Sequence, residues 1–438
     1  MKHVDTLIHG THVIPVDGRA RALNDTAIAV HEGGIVDILP SAAARSQYSF
    51  DTSYTYDHHL VIPGLINAHT HAGMSLFRGM ASDLPLMEWL NDHIWPAEKK
   101  WVNEDFVRHG TRLAIAEMIR GGITCFNDMY FFAEIAAEEV MQSGMRAHLG
   151  MILLDFPTAY AKDADEYLDK GLDLYHRHRS SSRVQCMLAP HAPYTVSDGP
   201  LKRVAALANE HGLPVHIHRH ETENEISMSL EQYRCRPIQR LHELGLVNDR
   251  LVAVHMTQLQ DDEIELLAGV GASIVHCPQS NLKLASGFCP VQKLLDGQVN
   301  VTLGTDSNTS NHDLDLLGEM QTAALLAKGV AGDATALPAH TALQCATINA
   351  AKALGIADRT GSLEVGKAAD ITVIDIEQVG AQPLYDPVGH AVYATQRSQV
   401  CDVWVEGQLL LHEGQLQTLD AESILAETRD WNKKISSG

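Results

Sequence analysis

The stretch Leu60-Val61-Ile62-Pro63-Gly64-Leu65-Ile66-Asn67-Ala68-His69-Thr70-His71 decides how this chain is read. An apolar, β-branched run that stops abruptly at polar residues predicts a buried strand with its functional groups at the C-terminal end. His69 and His71 stand at i and i+2, so both imidazoles project to the same side and can grip one metal ion.

Further apolar runs close in the same way. One leads into His216-Ile217-His218-Arg219-His220-Glu221, one ends at His255, and Val301-Thr302-Leu303-Gly304-Thr305 ends at Asp306. In all, eight short runs can be marked: Leu60 to Asn67, Gly122 to Asp128, Arg146 to Leu154, Val184 to Pro190, Leu213 to His218, Leu251 to His255, Ala272 to His276 and Val299 to Thr305. Between them lie segments with helical periodicity, among them Glu104 to Arg120, Ala133 to Gly144, Leu201 to His211 and Leu314 to Lys328, the last turning over at Gly329. Eight strand-then-helix units match an α/β chain folded as a (β/α)8 TIM barrel, although a doubly wound open sheet gives a similar count. The barrel is favoured because the chemical residues follow runs 1, 4, 5, 6 and 8, always at the C-terminal end, and only closure brings those ends around one mouth.

The flanks read differently. Strand-like patches at Thr26 to Val30, Ile35 to Leu39, Ile371 to Ile376 and Val403 to Glu406 are broken by Gly and Asp turns. The expectation is a small β-sandwich built from residues 1–59 and 362–438, beside a barrel over residues 60–361. No internal repeat or low-complexity tract is visible.

A length of 438 residues with 45% hydrophobic content suits one large core plus a smaller one. The balance of 33 Lys+Arg against 55 Asp+Glu, a formal charge of -22, argues against nucleic acid as a partner and favours a small neutral or zwitterionic substrate. The seven cysteines are scattered and form no Cys-x-x-Cys pair, which points to reduced thiols in a cytoplasm rather than a disulfide framework or a Cys-type zinc cluster. No signal peptide and no membrane span is expected.

Each candidate residue has a plainer reading. Among 25 histidines some His-x-His pairs arise by chance, His255 alone reads as structural, and a lone Glu221 reads as a solvated charge. An acid such as Asp306 at the end of an apolar strand is costly to bury unpaired, however, and a cation beside it removes that cost. The joint occurrence of these residues at separate strand ends carries the argument. We expect His69, His71, His218 and Asp306 to hold the metal, with His216 deeper in the barrel as a packing residue and His220 as a surface or lid residue. The ion would lower the pKa of a bound water, Asp306 would accept its proton, His255 would steady the attacking oxygen and Glu221 would shuttle a proton to the substrate. That assembly suits hydrolytic attack on an electrophilic carbon.

At this point the chain resembles the amidohydrolase superfamily, and within it the 5'-methylthioadenosine/S-adenosylhomocysteine deaminases. The similarity runs through Pro63-Gly64-Leu65-Ile66-Asn67-Ala68-His69-Thr70-His71, Leu86-Met87-Glu88-Trp89-Leu90, Ile94-Trp95-Pro96-Ala97-Glu98, Pro278 to Gly287, Leu303-Gly304-Thr305-Asp306 and Gly366-Lys367-Ala368-Ala369-Asp370-Ile371. The resemblance implies one zinc ion, replaceable by iron or manganese, on the four ligands above. It implies one metal because the fourth run, Val184 to Pro190, lacks the lysine that bridges two metals in many relatives. It further implies that Glu221 meets purine N1, that Glu98 meets the ribose hydroxyls, that Trp89 walls the nucleoside pocket, and that His191 adds substrate contacts. Arg146 matches a position that helps hold the homocysteine carboxylate, but no second arginine appears from Leu153 to Gly171. A bidentate clamp with one partner gone is much weaker, so methylthioadenosine is expected over S-adenosylhomocysteine and adenosine.

Three other readings compete with this one. The first is a deaminase or hydrolase of a free base or triazine, such as guanine, 8-oxoguanine or a chlorotriazine. The second is a barrel kept only for binding, against which no catalytic residue is missing. The third is a nucleic-acid deaminase, against which stand the net charge and the lack of a His-x-Glu with Pro-Cys-x-x-Cys pattern. A homo-oligomer is expected by analogy with similar barrels.

Overall fold

The computed structural model describes residues 1–437. Eight parallel strands pair in sequence order, β1 (Leu65–Thr70), β2 (Ile123–Asp128), β3 (Arg146–Leu153), β4 (Val184–Pro190), β5 (Val215–Arg219), β6 (Leu251–His255), β7 (Ser273–His276) and β8 (Asn300–Leu303). The ring closes at the mouth, where Thr70 bridges Asp306 and the Asp306 amide donates to the His69 carbonyl at 3.0 Å. Asn67 adds a side-chain rivet there, its Oδ1 accepting from the Thr305 amide and its Nδ2 donating to Thr305 Oγ1. β1, β2 and β3 are buried at every position, as expected for strands covered by helices outside and packed side chains inside.

The opening run is two strands rather than one. Tyr48–Pro63 belongs to an outer sheet, and the chain enters the barrel only at Leu65. The break falls at Gly64, where a Cβ would lie 2.1 Å from Thr124 Oγ1, so only glycine lets the backbone turn inward there. Most other boundaries match or shift by one or two residues. The helix read from Leu201 begins three residues earlier, at Asp198, and the helix expected to end near Gly329 continues through it as Leu316–Ala331 and stops at Gly332 in the left-handed conformation.

The terminal segments form one eight-stranded mixed sheet in which Tyr48–Pro63 pairs in parallel with Lys2–Val13 and antiparallel with Ile371–Asp375. The sheet curls so that Ile8, Ile28 and Ile35 share a core with Ile371, Val373 and Trp404. Turns from its two halves meet where a Cβ on Gly33 would touch the Glu406 carbonyl. The closing helix, Ala421–Ser437, leaves this sheet and lies on the barrel, with Trp431 edge-on to Phe106 and its Nε1 donating to His109.

Candidate metal centre and cavity

His69 and His71 flank the last residue of β1, and the end of β2 fixes them. Asp128 accepts from Thr70 Oγ1 and from the Ala72 amide, bracketing His71, while the Met129 carbonyl takes the His71 Nδ1 proton at 2.6 Å. On β5, His218 gives its Nδ1 proton to the His191 carbonyl at 2.7 Å. In both rings the proton is committed outward, so each Nε2 turns a lone pair to the centre. His69 Nδ1 lies 3.0 Å from His216 Nε2, which places His216 beneath the site as a support.

Four atoms converge. His218 Nε2 lies 3.2 Å from both His69 Nε2 and His71 Nε2, and Asp306 Oδ1 lies 3.4 and 3.3 Å from those same two nitrogens. Ligands about 2.0–2.1 Å from a tetrahedral zinc stand about 3.3 Å apart. Lone pairs facing each other at this distance repel unless a cation sits among them, so the donor set fits a zinc ion held by His69, His71, His218 and Asp306.

Burial opposes charge on these groups to differing extents. It lowers His69 to about 4, whereas His71 is raised because its contact with Asp306 outweighs burial. Burial also disfavours the Asp306 carboxylate, but His69 and His71 hold it well below the usual range. Ser280 Oγ donates to Asp306 Oδ2 at 2.6 Å, leaving Oδ1 for the centre. Asp306 (φ 62°) and His255 (φ 73°) leave their strands in the left-handed conformation, which costs non-glycine residues about 1–3 kcal/mol each and is tolerated mainly at functional sites.

Glu221 and His255 share the mouth, with Glu221 Oε2 3.8 Å from His255 Nε2. Burial raises the Glu221 carboxyl. Its backbone is held on both sides, because Glu225 accepts from the amides of His220 and Glu221 at 2.9 and 2.8 Å and Thr257 Oγ1 donates to the Glu221 carbonyl at 2.7 Å. His255 gives its Nδ1 proton to Asn281 Oδ1 at 2.9 Å.

A cavity of about 550 Å³ opens over these groups, lined also by Trp89, Glu98, Tyr130, His191 and Tyr194, within the roughly 300–1,000 Å³ usual for small-molecule sites. Its remaining wall is largely apolar, with Leu86, Leu90, Trp95, Ile152, Leu154 and Phe156.

Two expectations are corrected. Arg146 does not reach the cavity. It is the first residue of β3, whose eight residues rise about 3.3 Å each, which places it roughly 20 Å below the mouth; there it pairs with Asp370 at 3.2 Å, both side chains buried. No arginine lines the cavity among the described residues, and Lys99 is its one lysine. His220 is not a lid residue. It is wholly buried, donating from Nδ1 to the Gln258 carbonyl and accepting the Ile238 amide at Nε2.

Sequence reading overlooked Asp128, Tyr130, Glu225, Ser280 and Asn281. Thr222-x-x-Glu225, a cap-like spacing directly after Glu221, was the legible signal for one of them, since Thr222 does cap the helix Glu223–Tyr233. Ser280 and Asn281 lay within the Pro278 to Gly287 motif, but no spacing rule assigns them partners at the end of β6 and in the segment after β8.

Residues 60–410 match the sequence profile of the amidohydrolase family. A 5-methylthioadenosine/S-adenosylhomocysteine deaminase of Saccharophagus degradans is 47% identical over 433 residues, covering 99% of this chain and 97% of that one. Among solved structures, a zinc-bound adenosine deaminase from Xanthomonas campestris is 48% identical, covers 100% of both chains and superposes with a TM-score of 0.99. A zinc-complexed atrazine chlorohydrolase from Arthrobacter aurescens is 25% identical with a TM-score of 0.91, over 97% of this chain and 99% of that one.

Proposed function

The chain belongs to the amidohydrolase family, and from that membership we propose that it is a zinc-dependent aminohydrolase of adenine nucleosides, removing the C6 amino group of 5'-methylthioadenosine as ammonia. The observation that carries this reading is the convergence of His69, His71, His218 and Asp306 beside Glu221 and His255, in a cavity whose wall also holds a carboxylate at Glu98. It is a hydrolase acting on C–N bonds of cyclic amidines. The four-donor set and the zinc of the Xanthomonas campestris structure support one zinc per chain.

When bound, zinc supplies a Lewis acid that brings the pKa of water near neutrality. The Asp306 carboxylate, oriented by the Ser280 hydroxyl at Oδ2, accepts one proton of the attacking water and passes it to the departing amine. Glu221, raised by burial, delivers a proton to purine N1 as oxygen adds to C6. His255, its Nε2 3.8 Å from Glu221 Oε2, steadies the incoming oxygen. As the C6 carbonyl forms, the hydrogen left on the added oxygen returns to Glu221, so that water contributes its oxygen to C6, one hydrogen to N1 by way of Glu221 and one to ammonia.

Glu98 takes the ribose hydroxyls, Trp89 flanks the base and His191 lies over the His218 ring, 4.9 Å between centroids. With Arg146 committed to Asp370 and no arginine in the wall, the cavity has no clamp for a homocysteine carboxylate, which supports methylthioadenosine as the preferred substrate. A free base or triazine would leave Glu98 without a partner from the ligand. The charge of -22 supports the absence of nucleic-acid partners, and seven free cysteines support a cytoplasmic location. Among the described residues no helix is long and apolar enough to cross a membrane. We place the enzyme in a homo-oligomer by analogy with related barrels.

The test follows loss of adenine absorbance with methylthioadenosine, S-adenosylhomocysteine, adenosine and guanine on protein of measured zinc content. Turnover fastest with methylthioadenosine is expected. Turnover of guanine alone would overturn the nucleoside reading.

A further inference from the structure

Tyr130 stands at the end of the short segment Asp128-Met129-Tyr130 that leaves β2, and it was assigned nothing by motif or resemblance. Its hydroxyl donates to Glu98 Oε1 at 2.8 Å. Glu98 is half-buried on the wall of an apolar cavity and, among the described residues, enters no ion pair with Lys or Arg, so the Tyr130 hydroxyl is the side-chain donor that holds it. One carboxylate oxygen is thereby held while the other remains available to a ligand.

The tyrosine ring is locked where it stands. It is 4% exposed, packs 5.2 Å from the Phe131 ring, and lies so close to Gly73 that a Cβ there would come within 2.5 Å of its Cδ1. The same segment presents the Met129 carbonyl to His71 Nδ1. One turn therefore orients both a ligand of the metal centre and the acid on the cavity wall.

We propose that Tyr130 is a positioning residue for ribose recognition, holding Glu98 in the orientation that receives the sugar hydroxyls. The proposal rests on the assignment of Glu98 to the ribose. Burial pushes the Glu98 carboxyl up to about 7 while the Tyr130 hydrogen bond works against that rise, so the tyrosine also favours the ionised, accepting form.

The test compares adenosine with 2',3'-dideoxyadenosine on zinc-loaded wild type, Tyr130→Phe, Glu98→Gln and the double variant. Phe keeps the ring and removes only the donor, so the packing against Gly73 and Phe131 is retained. A hydrogen bond to a charged group carries about tenfold or more in affinity, and a binding interaction made equally in ground and transition states appears in KM alone. Tyr130→Phe is therefore expected to raise KM for adenosine about tenfold, to leave kcat in place, to leave kcat/KM for dideoxyadenosine unchanged, and to add nothing in the Glu98→Gln background. An unchanged KM for adenosine in Tyr130→Phe, with Glu98→Gln impaired, overturns the role of Tyr130 alone. Equal loss on both nucleosides makes Tyr130 a wall residue and also overturns it. If Glu98→Gln itself leaves adenosine kinetics unchanged, the ribose assignment fails and the proposal falls with it.

Discussion

Replacing Arg146 by Met separates a structural arginine from a substrate-binding one. The guanidinium and the Asp370 carboxylate are both buried, at 2% and 0% side-chain exposure, and approach through three contacts of 3.2 to 3.4 Å. A further donor reaches the Ser182 carbonyl. Removing one member of a buried pair leaves an uncompensated charge and costs about 3–5 kcal/mol. Here Asp370 keeps donors from Thr360 Oγ1 and the Glu406 amide, each at 2.7 Å, which places the expected loss at about 3 kcal/mol, the lower end of that range. The double variant Arg146→Met/Asp370→Asn removes the stranded charge and should recover part of the loss. Unfolding midpoints in urea, read together with kcat/KM for methylthioadenosine and S-adenosylhomocysteine, make the assay. The expected result is a lowered midpoint with the ratio of the two specificity constants unchanged. A selective fall in kcat/KM for S-adenosylhomocysteine, at an unchanged midpoint, would refute the placement of Arg146 at the foot of the barrel.

Other expectations follow from the same geometry. Glu221→Gln should lower kcat by about 10²–10⁴-fold while elemental analysis still finds zinc, and a fall of less than tenfold would remove Glu221 from proton transfer. Metal analysis of purified protein should find one zinc per chain, lost together with activity after chelation and regained on adding zinc; two metals per chain would contradict a fourth strand without a bridging lysine. Because burial raises Glu98 to about 7, the acid gains a proton as pH falls through that value. KM for adenosine should then rise below about pH 7, while KM for 2',3'-dideoxyadenosine stays flat, and parallel profiles for the two would place the titration elsewhere.

The linear chain determined a good deal. Short apolar, β-branched runs alternating with segments of helical period marked eight strands and the helices between them, because barrel strands are buried on both faces while the helices bury one. The ligands were legible because His-x-His, His218 and Asp306 interrupt apolar runs where an unpaired polar group would be costly. Local sequence could not show where a side chain points at the far end of a strand. Arg146 begins β3 and Leu153 ends it, and only the folded strand reveals that one lies at the foot of the barrel and the other near its mouth. His220 looked like a loop histidine but fills a buried gap beside Ile238, eighteen residues on. Tyr130 meets Glu98, Ser280 meets Asp306 and Asn281 meets His255 only because barrel closure brings distant loops together. What the sequence determined is which groups must be buried or paired; which partner each one finds depends on contacts made across the barrel, and those exist only once the tertiary structure has formed.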